Sequence, residues 1–113
     1  MGIKEGGVLV LTTLPADADG EGFGRILVEE RLAACVHVHS RGRSVYRWQE
    51  GIEVEQEQSV TIKTVADRLA RVEARIVELH PYNEPEIIVV DVVGGSASYL
   101  AWLECSTRPH PSA

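Results

Sequence analysis

The chain has 113 residues, 17 acidic and 11 basic side chains, and a formal charge of −6 at pH 7. This length fits one domain, and the 44% hydrophobic content argues against a disordered chain. The acidic balance argues against a nucleic-acid partner, which needs Lys and Arg to displace phosphate counterions. We expect a single domain over residues 1–113, with an ordered core over about 7–106 and a frayed tail over 107–113.

The sequence shows neither a targeting signal nor the cysteine pattern of a disulfide framework or a zinc site. Residues 1–20 lack the basic start and apolar core of a signal peptide, and the longest apolar runs, such as 87–90, are too short to span a membrane. Cys35 and Cys105 alone cannot build a disulfide framework or a four-cysteine zinc site. The expected location is the cytoplasm, with no membrane partner.

Three patterns predict the secondary structure. Continuous apolar runs predict strands buried on both faces, alternation predicts strands with one buried face, and apolar spacings of three and four predict helices. In chain order the predicted elements are a strand at 8–11, a helix from Asp17 or Asp19 to about Arg31, two long strands at 33–48 and 52–64, a helix from Thr64 that Pro81 ends, a strand at 86–93 and a short helix at 99–105.

Turn and cap residues predict where several of these elements begin and end. Residues 41–43 predict a bend or bulge in the first long strand, and residues 49–51 predict the turn that joins the two long strands into a hairpin. Thr64-x-x-Asp67 has the spacing of a capping box and predicts the start of the second helix. The inner face of that helix is an apolar stripe: Leu69, Val72, Ile76 and Leu79.

The order of the elements predicts an α+β fold. Strand, helix, strand, strand, helix, strand and a short C-terminal helix is the split βαβ, or ferredoxin-like, sandwich, in which two helices cover one face of the sheet. The uncovered face carries Glu, His and Arg on unusually long strands. We expect a second subunit to cover it.

Three candidate metal ligands share one face of the first long strand. Cys35, His37 and His39 stand at i, i+2 and i+4, about 6–7 Å between neighbours. A thiolate with two imidazoles suits copper or zinc, and a carboxylate or a second subunit could complete the shell. The alternative is a buried free cysteine with two histidines lying against an interface.

Three carboxylates likewise share one face of the second long strand. Like charges at Glu53, Glu55 and Glu57 repel unless a cation or an arginine neutralises them. Arg43 and Arg47 on the partner strand are available for pairing. The alternative is a solvated or ion-paired strand face.

No enzyme motif survives a search of the sequence, so we expect no enzymatic activity. Gly20-x-Gly22-x-Gly24 precedes a helix, but its third glycine comes one residue too early for a dinucleotide fingerprint and the preceding loop is acidic. The segment 80–86 places two prolines between a helix and a strand, which suits either a rigid connector or a ligand pocket.

Six short motifs carry a resemblance to a known family. They read, in order, ERLAACV (30–36), SVYRW (44–48), IKT (62–64), HPY (80–82), PEI (85–87) and YLAWL (99–103). Their order and spacing over nearly the whole chain resemble the CutA, or divalent-cation tolerance, proteins.

The resemblance implies a ferredoxin-like subunit that assembles into a tight homotrimer through long hairpin strands. It also implies tolerance of divalent copper and binding of copper or other divalent ions. The pattern associated with copper uses a cysteine in the first strand and a His-His pair before Pro-Tyr. This chain has Thr12, Leu79 and His80 at those positions, so His80 alone is retained.

Two functions are therefore open. The first is a non-enzymatic, trimeric, cytoplasmic protein that binds divalent ions, copper foremost, through His80, Cys35, His37 and His39, with Glu53, Glu55 and Glu57 as outer carboxylates. The second, which the resemblance of the trimer to PII signalling proteins implies, is a regulator that binds a small metabolite or a partner protein in clefts between subunits. Its candidate residues are Lys63, Tyr82, Glu86 and Trp102.

Overall fold

The structure, a computed structural model, describes residues 6–109. Four strands and three helices follow one another in the predicted order, and a single 3-10 turn at Ala66–Arg68 precedes the second helix. The elements are β1 (Gly7–Pro15), α1 (Gly20–Glu29), β2 (Cys35–Trp48), β3 (Gly51–Val65), α2 (Leu69–Leu79), β4 (Ile88–Asp91) and α3 (Ala97–Ser106). Within the described part of the chain, no helix is long and apolar enough to cross a membrane.

The four strands form one antiparallel sheet in the order β2-β3-β1-β4. β1 pairs with β3 along its whole length, whereas β4 pairs only with Val8–Leu11 of β1. Because β3 lies between the two strands that α1 connects, the connection is a split βαβ unit. The predicted ferredoxin-like α+β fold is confirmed.

One face of the sheet forms the main core against α1 and α2. Val10 and Leu14 of β1 and Val60 and Ile62 of β3 are buried there, together with Leu27 of α1. The predicted stripe of α2 is confirmed, since its middle members are fully buried and its outer members pack against the same cluster: Leu69, Val72, Ile76 and Leu79.

The predicted capping box at the start of α2 is wrong. Thr64 belongs to β3, is fully buried, and donates its hydroxyl to the Leu32 carbonyl at 2.6 Å. The 3-10 turn then leads into α2, whose N-cap residue Arg68 makes no side-chain capping bond. A tertiary hydrogen bond thus takes the hydroxyl that the local motif needed. For α1, by contrast, Asp19 is the cap, accepting from the Gly22 N–H at 2.9 Å.

The third helix packs on the opposite face of the sheet, at one end only. Leu103 of α3 joins Ala34 and Val65 in a second apolar cluster, and a Cβ on Gly7 would stand 2.8 Å from the Leu103 Cδ2. The remainder of this face has no helix over it within residues 6–109. We call it the open face.

The start of the expected tail is anchored to the body. Thr107 is fully buried and donates its hydroxyl to the Leu103 carbonyl at 3.0 Å. The Arg108 guanidinium forms two hydrogen bonds with the Asp67 carboxylate, at 2.7 and 3.0 Å. Residues 110–113 of that tail lie outside the described residues.

A bulge divides the β2–β3 hairpin into two parts, and we call the part beyond it, residues 41–58, the outer hairpin. Val38 pairs with Val60 but Arg41 pairs with Gln58, so β2 has one more residue than β3 at this point. Because side chains alternate along a strand, one extra residue reverses which face each later residue of β2 occupies. The predicted irregularity is confirmed, slightly earlier than residues 41–43.

Candidate functional site

Two predicted ligands lie together on the open face. His37 lies opposite Thr61 in the ladder, and the His37 and His39 rings are 4.5 Å apart between centroids in an edge-to-face arrangement. The His39 Nε2 atom is 3.0 Å from the Thr61 Oγ1 atom. Each imidazole keeps a ring nitrogen that no protein group occupies within residues 6–109. We call His37 and His39 the histidine pair.

The histidine pair has no complete ligand shell around it. Cys35 is a half-buried free thiol two residues earlier on the same strand face. Among residues 6–109, however, no three side chains of the types His, Cys, Asp and Glu approach one another closely enough to hold a metal ion. One chain therefore supplies two adjacent imidazoles and a thiol beyond them, which is fewer than the four ligands of a structural zinc site.

His80 lies elsewhere, and its ring is fully engaged. It follows α2 and is buried, with Nε2 2.6 Å from the Thr13 carbonyl oxygen and Nδ1 accepting from the Tyr82 backbone N–H at 3.1 Å. Since a backbone N–H can only donate, Nδ1 is the acceptor and the proton sits on Nε2. β4 stops pairing with β1 at Leu11, so His80 bonds to β1 just beyond the end of that ladder.

The bulge decides what faces the three glutamates. In the outer hairpin the residues of β2 that share their face are Gly42, Ser44 and Tyr46, paired with Glu57, Glu55 and Glu53 in that order. Arg43 and Arg47 pair with Gln56 and Ile52 on the other face. The predicted pairing of these arginines with the glutamates is wrong, because the extra residue in β2 turns them away.

Hydroxyl groups, not arginines, accompany the glutamates. Glu57 accepts from the Ser44 hydroxyl at 2.6 Å and from the Tyr82 hydroxyl at 2.9 Å. Desolvation and the three nearby carboxylates raise the pKa of Tyr46. Burial, followed by the hydrogen bond to Glu57, raises the pKa of Tyr82 to about 12. The hydrogen bond from Tyr82 to Glu57 links the connector after α2 to the hairpin.

The other predicted cleft residues separate into two places. The Lys63 ammonium lies 5.9 Å from the centroid of the Tyr99 ring, and that ring lies 5.3 Å from the Trp102 ring. Glu86 is exposed on the connector before β4. Tyr99 was not predicted as a site residue. Residues three apart on a helix share a face, so the choice of Trp102 could have indicated Tyr99 as well.

A cleft of about 540 Å³ between α1 and β2 was also not predicted. None of the predicted ligands lines it. A Cβ on Gly24 would stand 3.0 Å from two atoms of Val36, so this glycine permits the close approach of helix and strand. The lining consists of Gly20, Glu21, Gly24, Arg25, Val28, Glu29, Val36 and Val38.

Large apolar side chains are exposed on the outer hairpin and at the opposite edge of the sheet. On the hairpin, three aliphatic residues and one tryptophan have exposed fractions of 57–67%: Val45, Trp48, Ile52 and Val54. Around β4 they are 41–91% for Ile88, Val89, Val90 and Val93. Exposed apolar surface at both edges of one sheet is typical of a protein that associates with another chain.

These features define a ferredoxin-like α+β protein with a partly covered sheet and an extended apolar hairpin. Residues 8–106 match the family described as CutA1 divalent ion tolerance protein, and the chain belongs to that family. The resemblance drawn from the sequence motifs is confirmed.

Individual relatives agree with this assignment. The divalent-cation tolerance protein CutA of Thermus thermophilus is 37% identical over 99 residues, which cover 88% of this chain and 96% of that protein. The crystal structure of CutA from Xylella fastidiosa has a TM-score of 0.87 and 40% identity, covering 90% of this chain and 98% of that one. A protein named CutA, chloroplastic, from Arabidopsis thaliana is 35% identical over 89% of this chain and 56% of its own length.

Proposed function

We propose that this chain forms a cytoplasmic homotrimer that binds divalent cations, copper foremost, and contributes to tolerance of those ions without catalysing a reaction. The observation that carries the proposal is the histidine pair, whose ring centroids are 4.5 Å apart on the open face. Imidazole suits copper and zinc, and a thiolate at Cys35 favours the same metals over magnesium or calcium.

The proposed metal site needs ligands from more than one chain. The histidine pair offers two nitrogens, and its face of the sheet is open within residues 6–109. A second copy packed on that face would add ligands and exclude water. The exposed apolar residues of the hairpin and β4 support association, and the number of three subunits follows from the family resemblance.

His80 and the glutamates have secondary places in the proposal. A metal at His80 must displace either the Tyr82 N–H from Nδ1 or the Thr13 carbonyl from Nε2, and each displacement costs a hydrogen bond. His80 is therefore a weaker ligand than the histidine pair. Glu53, Glu55 and Glu57 are outer carboxylates that attract cations toward the hairpin.

Native mass spectrometry with stepwise addition of Cu(II) and Zn(II) tests the proposal. We expect a trimer that takes up one ion per subunit, and a His37→Ala, His39→Ala double variant that stays trimeric but loses saturable uptake. The same titration of His80→Leu separates the two positions, because its uptake should persist. A monomer at every concentration contradicts the proposed trimer, and unchanged uptake by the double variant contradicts the metal site.

A second candidate function is a regulator of the PII type. The observation that favours it is the half-exposed Tyr99–Trp102 pair with the Lys63 ammonium beside it, which could hold a small metabolite between ring faces and a positive charge. A thermal-shift screen of anionic metabolites should then find a ligand whose effect disappears in Trp102→Ala. If no metabolite raises the melting temperature, this candidate is dropped.

A further inference from the structure

Thr61 is a polar residue of β3 that lies beside the histidine pair. It stands directly opposite His37 in the β2–β3 ladder, and its Oγ1 atom is 3.0 Å from the Nε2 atom of His39. Opposite residues of an antiparallel pair have Cβ atoms about 4.5–5.5 Å apart, so Thr61 is a neighbour of both histidines. Within the described part of the chain, His39 is the one hydrogen-bond partner of this hydroxyl.

The bond between Thr61 and His39 restricts how the imidazole can be used. A neutral imidazole carries one N–H, and its other nitrogen has the lone pair that binds a metal. If the Thr61 hydroxyl donates to Nε2, the proton sits on Nδ1 and neither ring nitrogen of His39 is open to an ion. If Nε2–H donates to Oγ1 instead, Nδ1 keeps its lone pair. Only the second arrangement lets His39 bind a metal while the observed contact stays in place.

Two contacts define the orientation of the His39 ring. Thr61 holds Nε2, and the ring meets that of His37 edge to face at a centroid distance of 4.5 Å. Thr61 is suited to this role because a β-branched side chain has restricted χ1 rotamers, so its hydroxyl keeps a defined direction. Thr61 is also half-buried whereas His39 is exposed, so the more restricted side chain holds the freer one.

We propose that Thr61 is a positioning residue that holds His39 for metal binding through Nδ1, with Nε2–H donating to Oγ1. This inference rests on the proposed cation binding at the histidine pair and specifies which nitrogen of His39 takes part. Histidines that bind metals almost always donate their other ring N–H to an acceptor, which fixes the tautomer and raises the basicity of the ligand. Thr61 supplies that acceptor. His37 has no such bond within residues 6–109, so His39 is the better oriented ligand of the pair.

Nuclear magnetic resonance of the metal-free full chain first tests the positioning. Three-bond couplings across χ1 report whether the His39 side chain holds one rotamer. We expect one rotamer in wild type and in Thr61→Ser, which keeps the hydroxyl, and averaging over several in Thr61→Val, which removes it but suits a strand equally well. Ser59→Ala is the matched control, because it removes a hydroxyl from the same face of β3 and should leave His39 unchanged.

Addition of Zn(II) then tests the nitrogen, since the nitrogen-15 shift of each ring nitrogen shows whether it carries a proton or a metal. In wild type and Thr61→Ser we expect zinc on Nδ1 of His39 and the proton on Nε2. In Thr61→Val the zinc should no longer be confined to Nδ1. Its affinity should fall about tenfold, the lower end of the loss that follows removal of an outer-shell partner. Ser59→Ala should match wild type in both respects.

Four results would overturn the inference while leaving the proposed cation binding in place. They are zinc on Nε2 of His39 in the wild type, a single His39 rotamer in metal-free Thr61→Val, equal zinc affinity in wild type and Thr61→Val, and an equal loss of affinity in Thr61→Val and Thr61→Ser. The last would show that the shape of the side chain matters and not its hydroxyl. If zinc shifts neither histidine of the wild type, the proposed cation site itself is refuted, and the role of Thr61 falls with it.

Discussion

Replacing His80 by Leu tests whether this residue stabilises the fold independently of any metal. Leu is similar in size to His but cannot form hydrogen bonds. The Thr13 carbonyl therefore loses its bond of 2.6 Å, and the Tyr82 N–H loses its bond of 3.1 Å. Each lost bond costs about 0.5–1.5 kcal/mol, and a buried group left unsatisfied costs up to about 3. His80 is 7% exposed whereas Tyr82 is 36% exposed, so water can replace the second bond more easily than the first. From these costs per lost bond, we expect the free energy of unfolding to fall by about 2 kcal/mol.

Urea unfolding in the presence of a chelator, at equal subunit concentration, measures this loss. With a slope of about 2 kcal/mol per molar urea, the midpoint of His80→Leu should fall by roughly 1 M. The matched control is Glu73→Leu, a polar-to-Leu change at an exposed position of α2, on the face of the sheet away from the histidine pair, which should stay within about 0.5 kcal/mol of the wild type. The reasoning is refuted if His80→Leu unfolds at the wild-type midpoint, or if both variants lose the same stability.

Two more substitutions test the hairpin contact and the helix packing. Tyr82→Phe should remove an absorbance step near pH 12 from the alkaline titration. Because the pKa of Tyr82 is raised in the folded protein, its hydroxyl contributes stability below pH 10 that is lost as the pH rises toward 12. The difference in free energy of unfolding between wild type and Tyr82→Phe should therefore shrink across that interval. A difference that stays constant from pH 9 to 12 contradicts this. Gly24→Ala should lower the free energy of unfolding by about 1 kcal/mol, because crowding against Val36 outweighs the gain in helix propensity. Gly51→Ala, which meets no atom within 4 Å, is its control, and equal melting temperatures for the two variants would contradict the packing argument.

Periodicity was sufficient to predict the order and kind of the elements, but not their ends. The first strand extends to Gly7–Pro15 because β3 pairs with it throughout, although its apolar run covers only residues 8–11. The last strand is shorter than predicted, Ile88–Asp91, and pairs only with Val8–Leu11 of β1, beyond which the Thr13 carbonyl is bonded to His80. The limits of both strands are thus set by the partner strand, which a single segment does not encode.

Which side chains share a face in the outer hairpin depends on one extra residue in β2, whose position the sequence pattern did not predict. Arg-Gly-Arg at 41–43 indicates an irregularity, but both a bend and a bulge agree with it. Only the pairing of Val38 with Val60 and of Arg41 with Gln58 shows that β2 has an extra residue. Spacing therefore predicted the shared face of the three glutamates correctly, because β3 is regular, and their arginine partners wrongly.

The histidine pair illustrates how metal binding and assembly would depend on each other. One chain brings two imidazoles together on a face that other parts of the same chain leave open. Two nitrogen ligands in water make a weak site, whereas a second copy would add ligands and lower the local dielectric constant. In the proposed trimer an ion held between subunits therefore stabilises the assembly. By thermodynamic linkage, assembly raises the affinity for the ion by the same factor. Dilution of the protein should accordingly weaken its metal binding, and a metal site contained within one chain would not respond in this way.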